Sequence, residues 1–325
     1  MGEEQNQGNG DENRIAIAGE TIEPGQRQRL EIPIARLPTQ TMLSLPVAVV
    51  NGLHPGPKLW LSAAIHGDEI NGVEIIRQVL QQVDPQHLQG TLIAVPIVNL
   101  FGFIEQSRYL PDRRDLNRCF PGSPTGSLAS RLAHLFMQEI VLKSTHGIDL
   151  HTAAAPRANL PQIRANTDDE ETYRCALAFS APATIRATTR DGSLRQAAAQ
   201  RKIPVLLYEA GEILRFDREA IRIGVEGILR VMAHLNMHEF LNLSIPEPTL
   251  EIKESKWIRA SRSGILHAEV ALGEKVSEKQ LLATITDAFG EQTTYIRAKF
   301  TGLVIGCVQN PLVSQGDGIF HVAVV

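Results

Sequence analysis

The run Lys58–His66 (KLWLSAAIH) is apolar almost throughout and passes directly into Asn71–Val83, where Val73, Ile75, Ile76, Val79 and Leu80 recur at helical spacing. An apolar strand must be covered on both faces, and a strand that feeds straight into an amphipathic helix supplies one cover itself. The alternation returns downstream. Thr91–Val98, Gly147–Leu150 and Ile203–Tyr208 read as strands, separated by helical patterns at Ser127–Leu142, Asp168–Phe179, Ser193–Arg201 and Ala220–Leu235. The expected core is an α/β sheet with helices on both faces. The chain has 325 residues, and at about 150 residues per domain that leaves room for roughly two.

Near Leu243–Leu250 (LSIPEPTL) two prolines break the pattern, and downstream come short strands punctuated by Gly264, Gly273, Gly290, Gly302, Gly306, Gly316 and Gly318. The expected layout is a polar, disordered tail over residues 1–13, an α/β domain over 14–245 and a small all-β domain over 250–325. The last contains a faint repeat: Ser263-Gly-Ile-Leu266 returns as Thr301-Gly-Leu-Val304, and Leu281 as Ile319. Two similar β units packed face to face would bury what neither buries alone.

Composition excludes several function classes. Lys and Arg number 32 against 36 Asp and Glu, a formal charge of −4, so no global basic field exists to hold nucleic acid or an anionic membrane. The apolar stretches fall well short of the ~20 residues that span a bilayer. Cys119, Cys175 and Cys307 are widely spaced with no CxxC pair, which indicates neither a disulfide framework nor a thiolate zinc site and fits a reducing cytoplasm. No export signal opens the sequence.

The sharpest local signal is His66-Gly-Asp-Glu69, placed where a strand ends and a helix begins. Ligand sites of α/β sheets lie at strand C-terminal ends, and imidazole and carboxylate are both ordinary zinc ligands. A catalytic zinc needs a third protein ligand and keeps its fourth position for water. His151 closes another apolar run, Gly147-Ile-Asp-Leu-His151, and is the candidate third ligand. The pair alone reads more simply as a helix N-terminus where Asp68 and Glu69 favour the dipole. Between Ser107 and Gly122 (SRYLPDRRDLNRCFPG), Arg108, Arg113, Arg114 and Arg118 are packed with Asp112, Asp115 and Asn117. This is a ligand-serving loop or a solvated charge run. Ile203–Tyr208 ends in Glu209-Ala-Gly211, where a carboxylate at the mouth of a hydrophobic strand is either salt-bridged or catalytic.

Taken together and in order, HGDE, DLNR, DLHT and the Glu209-Ala-Gly211 triplet resemble the succinylglutamate desuccinylase/aspartoacylase family, amidohydrolase relatives of the zinc carboxypeptidases. The resemblance covers roughly residues 30 to 325. It implies a zinc-carboxypeptidase-like mixed sheet flanked by helices, with residues 14–245 forming the hydrolase domain and a small C-terminal all-β, barrel-sandwich-like domain appended. It implies one Zn2+ per chain bound by His66, Glu69 and His151, with Glu209 as general base and Asn117 and Arg118 holding a substrate carboxylate. Arg108 is similar to the family's oxyanion arginine. The stretch from Arg108 to Asn117 is about two residues longer than in the aspartoacylase branch, which leaves Arg113 or Arg114 as alternatives. Asp115 resembles the carboxylate that orients the first histidine ligand.

The chemistry agrees with that assignment. A bound zinc lowers the pKa of its water to ~7 and polarises a carbonyl, so Glu209 need only move a proton. An Arg118 fork with the Asn117 amide suits the carboxylate of an N-acyl amino acid. The expected protein is a cytoplasmic zinc-dependent amidohydrolase acting on a small N-acyl amino acid, with no nucleic-acid or membrane partner and an open oligomeric state. The alternatives are a metallocarboxypeptidase acting on peptides and a non-catalytic metal-binding regulator. Arg190 and Arg195 are loose candidates for a second carboxylate contact. The other histidines, His146 and His234 among them, show no ligand spacing. The β domain resembles biotinyl and lipoyl carriers but has no lysine between Lys279 and Lys299, which argues against a carrier role.

Overall fold

The computed structural model describes residues 13–240 and 247–325. Residues 1–12 of the expected tail and the 241–246 part of the proline-interrupted linker lie outside the described residues. Asn13 is buried, its amide donating to the carbonyls of Gly52 and His54 while its own carbonyl accepts from Asn51.

One large mixed sheet organises the molecule. Its central strands, Val205–Gly211, His146–His151, His54–Ala63 and Gln89–Val95, are parallel neighbours in that order. Antiparallel strands extend both sides: Met42–Asn51 and Gln26–Arg36 beyond Gln89–Val95, and Arg157–Ala165 beyond Val205–Gly211. This is the expected mixed α/β architecture. The central strands are buried nearly end to end because helices cover both faces. On one face Asn71–Gln82, Glu170–Phe179 and Arg218–His234 enclose Leu59, Leu61, Ile148, Leu150, Leu206 and Tyr208; on the other, Leu128–Glu139 and Leu194–Ala199 pack over Trp60, Ile93, Val95 and Val205. Gly72 lets its helix close on the sheet, since a Cβ there would sit 2.7 Å from the Cβ atoms of both Ala63 and Leu150.

The C-terminal strands divide between two sheets around their own core of Ile258, Leu266, Leu282, Ile285, Val304 and Phe320. The repeated segments fall on opposite sides of it. Gly264–Ala268 and Leu281–Thr286 pair with each other, whereas Gly302–Val308 and Gly318–Val324 join the large sheet. Each half also lends a short strand to the other's sheet: Lys275–Val276 pairs with Gly302–Leu303, and Leu312–Val313 with Gly264–Ile265. Gly302–Val308 lies antiparallel to Arg157–Ala165, so the hydrogen-bonded ladder runs unbroken from the central strands into the C-terminal part. That continuity carries the C-terminal residues up to the strand ends where the candidate site lies.

Candidate active site

The strand His54–Ala63 stops short of the histidine it leads to. Ala64 takes a φ of +50° and the chain turns through His66-Gly-Asp-Glu69 into the helix at Asn71. Gly67 is dictated by close approach: a Cβ there would lie 1.9 Å from the backbone of Gly102. This turn aims two side chains at one point. His66 Nδ1 is 2.7 Å from Glu69 Oε1, and His151 Nδ1, from the end of the neighbouring parallel strand, is 2.7 Å from Glu69 Oε2. The three groups offer ligand atoms within 4.8 Å of one another, all three residues being buried.

Each imidazole is held from behind. His66 Nε2 donates to Asp115 Oδ1 at 3.1 Å, and His151 Nε2 to Asp149 Oδ2 at 2.8 Å. Asp149 in turn accepts from Ser62 Oγ at 2.7 Å. With both Nε2–H groups committed, the Nδ1 of each ring faces an oxygen of Glu69, a donor set that fits a divalent cation. The carboxylates around the two rings favour positive charge at this point. Burial works against charge on His66, but Glu69 and Asp115 outweigh it and raise the ring above its ordinary value; His151 is raised further against the same desolvation, chiefly by Asp149 and Glu69. Glu69, despite complete burial, is held well below the usual carboxylate range by the two rings.

The Ser107–Gly122 segment folds against this cluster. Arg108 forks onto Asp115 Oδ2 through Nη2 (2.9 Å) and Nε (3.3 Å), and its Nη1 lies 3.3 Å from Glu69 Oε1. Asp115 also accepts from the Asn117 backbone N–H. Burial would raise Asp115, but His66 and Arg108 keep it well below the ordinary carboxylate value. Of the three arginines open for the oxyanion position, Arg108 lines the cavity; Arg114 pairs with Asp112 at the exposed side of the loop and Arg113 sits in a turn at φ +61°. Asn117 is buried and its Oδ1 accepts from Leu194 N, tying the loop to the Leu194–Ala199 helix, while Arg118 bonds the Asn117 carbonyl.

Glu209 faces the cluster because of strand register. It is the direct partner of His151 across the parallel pair, so both side chains leave the same face of the sheet about one strand spacing apart. Its Oε2 accepts from Asn159 Nδ2 at 2.6 Å and lies 3.6 Å from an Arg164 nitrogen.

These residues share a cavity of about 730 Å³. Its wall contains Arg108, Arg118, Arg157, Arg164, Arg186, Arg190, Arg195 and Lys253, against the carboxylates of Glu69 and Glu209. Burial and the neighbouring Arg164 lower Arg195 to about 10, which leaves it charged at neutral pH. The C-terminal strands add Trp257 and His321, stacked at 4.7 Å, with the Arg157 guanidinium 4.7 Å over the indole. Burial, with Arg164 and Arg157 nearby, drops the His321 imidazole to about 4, and its Nδ1 and the Arg164 Nε are buried without a protein partner.

Of the site residues singled out from the sequence, His66, Glu69, Arg108, Asn117, Arg118, His151 and Glu209 line this cavity, Asp115 lies directly behind it, and the alternatives Arg113 and Arg114 do not line it. Missed were Asp149, Asn159, Arg157, Arg164, Arg186, Lys253, Trp257 and His321. Asp149 had a signal: in a strand, residues two apart share a face, so the Asp-Leu-His order sets a carboxylate beside its imidazole. The others are contributed by strands, and for Lys253 by the bend between two strands, whose neighbours in space are remote in sequence.

Residues 55–235, more than half the chain, match the succinylglutamate desuccinylase/aspartoacylase catalytic domain. The N-alpha-acetyl-L-2,4-diaminobutyric acid deacetylase of Halomonas elongata is 29% identical over 293 residues, covering 86% of this chain and 85% of its own. The crystal structure of a succinylglutamate desuccinylase/aspartoacylase from Rhodobacter sphaeroides superposes with a TM-score of 0.81 at 26% identity, covering 91% of this chain and 95% of that one. The product-bound ectoine utilization protein EutE (DoeB) of Ruegeria pomeroyi shares the fold at TM-score 0.82 and 22% identity, covering 92% and 95%. The match over the catalytic domain establishes that the chain belongs to the succinylglutamate desuccinylase/aspartoacylase family.

Proposed function

We propose that this chain is a zinc-dependent deacylase that hydrolyses the amide bond of a small N-acyl amino acid bearing a further carboxylate. The observation that carries the reading is the meeting of Glu209 with His66, Glu69 and His151 at one cavity rich in arginine. His66, Glu69 and His151 would hold one zinc, which when bound supplies an acidified water and a polarised carbonyl. Glu209 takes the water proton and delivers it to the departing amine; Asn159, hydrogen-bonded to one carboxylate oxygen, fixes its direction. Arg108, anchored by Asp115, presents positive charge beside the cluster for the oxygen on which charge develops. Asp115 and Asp149 hold the two rings in the orientation that leaves Nδ1 free. Arg118 and Asn117 grip the substrate carboxylate.

The cationic wall supports an acidic substrate over the diaminobutyrate derivative named for the Halomonas elongata relative, because a cationic side chain among Arg157, Arg164, Arg186 and Arg195 would be repelled. Lys253, Trp257 and His321, reaching the wall from the C-terminal strands, favour a short ligand over a peptide chain. Metal analysis followed by hydrolysis of N-acetyl and N-succinyl derivatives of glutamate, aspartate and diaminobutyrate tests the proposal. Zinc-requiring turnover of the acidic members is expected, with Glu209→Gln keeping its metal and losing at least ~100-fold in kcat. Turnover unaffected in Glu209→Gln, or preference for diaminobutyrate, would refute the corresponding part.

A further inference from the structure

A second group of ligand-type side chains lies away from the cavity, at the opposite end of the strand that carries His151. His146 opens that strand, and Glu171 and Cys175 stand one turn apart on the helix Glu170–Phe179, a spacing that puts both on one face. His146 Nε2 is 3.3 Å from Glu171 Oε1, Cys175 Sγ is 3.9 Å from the same oxygen, and the three ligand atoms lie within 4.8 Å of one another. Around a tetrahedral zinc, bonds of about 2.0–2.1 Å to nitrogen or oxygen and 2.3 Å to sulfur set the ligand atoms roughly 3.3 to 3.7 Å apart. The cluster is therefore close to a coordination polyhedron before any adjustment.

The hydrogen bonds around His146 accommodate the tautomer that a metal ligand needs. The Thr145 hydroxyl lies 2.9 Å from His146 Nδ1, and when it donates to the Lys58 carbonyl at 3.0 Å that nitrogen can donate to it. In that tautomer Nε2 turns its lone pair toward Glu171 Oε1, the oxygen that accepts from the Cys175 thiol. A cation between them satisfies both groups, and the Nδ1–H···Thr145 bond is the outer hydrogen bond that metal-binding histidines make.

We propose that His146, Glu171 and Cys175 form a second zinc site, with Cys175 bound as the thiolate and the fourth position left to solvent beside the exposed Glu171. Binding releases the thiol proton to solvent, and the ion enters past Glu171, whose side chain is 42% exposed. An ion there fastens the Glu170–Phe179 helix to the far end of the strand that presents His151. The site is independent of the deacylase reading, since none of its ligands lines the cavity.

Cobalt titration of the metal-stripped full-length chain separates the two sites, because sulfur-to-cobalt charge transfer in the near ultraviolet can arise only where a thiolate is a ligand. We expect two equivalents of Co2+ with the charge-transfer band belonging to one of them. The band should persist in His66→Ala and disappear in Cys175→Ser. In Glu171→Gln, a half-exposed change that leaves the core intact, cobalt affinity at this site should fall by at least the ~10-fold that even an outer hydrogen-bond partner is worth. Elemental analysis should give two zinc ions per wild-type chain and one per Cys175→Ser chain. Cobalt uptake without a charge-transfer band, a band that survives Cys175→Ser, or unchanged affinity in Glu171→Gln would overturn the site.

Discussion

Asp149 offers the sharpest test of how the cluster is held. It is fully buried, and its two oxygens are divided between His151 Nε2 at 2.8 Å and Ser62 Oγ at 2.7 Å. Asp149→Asn keeps the shape: the amide oxygen can still accept from His151 while the amide nitrogen donates to Ser62, so the hydrogen bond survives and the charge is lost. Outer partners of metal-bound histidines are worth about 10- to 100-fold in affinity, and the conservative change should sit near the lower end, ~1.4 kcal/mol. Asp149→Ala is harsher, because it leaves two buried polar groups unpartnered at about 1–3 kcal/mol each. It should lose ~100-fold or more in zinc affinity at this site and lower the melting temperature of the metal-free protein. Asp115→Asn should cost less than Asp149→Asn, since Asp115 is 17% exposed and solvent can replace part of what it supplies. The measurement is competition for Zn2+ against a chromophoric chelator in a Cys175→Ser background, which isolates the cluster. Equal zinc affinity in wild type, Asp149→Asn and Asp149→Ala would refute the argument that the carboxylate sets the ring.

Arg118→Ala should raise KM first, with a substrate amide lacking the carboxylate insensitive to the change and lysine a poor rescue; kinetics on paired substrates check this. Gly67→Ala forces a Cβ to 1.9 Å from the Gly102 backbone, so the HGDE turn must move, and reduced metal retention together with a lower melting temperature is expected. His321 gives a pH dependence of definite sign. Its folded-state pKa of about 4 lies below the ordinary histidine value of 6.5, so the unfolded chain binds the extra proton first and the folded state loses stability as pH falls from 6.5 toward 4. The full shift corresponds to about 3 kcal/mol, and His321→Gln should flatten that part of the stability-against-pH curve relative to wild type, as denaturant titrations at pH 7, 5.5 and 4.5 would show.

The sequence by itself determined the strand–helix alternation and singled out His66, Glu69 and His151, and the reason is local. Lys58–His66 and Asn71–Val83 specify strand and helix through their own periodicity, and His66 and Glu69 stand at the junction between them, where α/β sheets gather ligands. His151 and Glu209 close runs of the same kind, and ordered motifs fixed their grouping. No described helix is long and apolar enough to cross a membrane. What only the tertiary structure decided depends on which strands lie side by side. Strand register set Glu209 next to His151. The packing of the Ser107–Gly122 loop brought Arg108 to the cluster instead of Arg113 or Arg114. The pairing of Gly302–Val308 with Arg157–Ala165 carried Trp257 and His321 to a cavity built by residues far away in the chain. His146 shows the same limit: its spacing to Glu171 and Cys175 resembles no ligand motif, and helix packing alone brings the three together. A periodicity reports which face of an element is buried, but not which neighbour buries it, and the cationic wall and the second cluster are both made by neighbours.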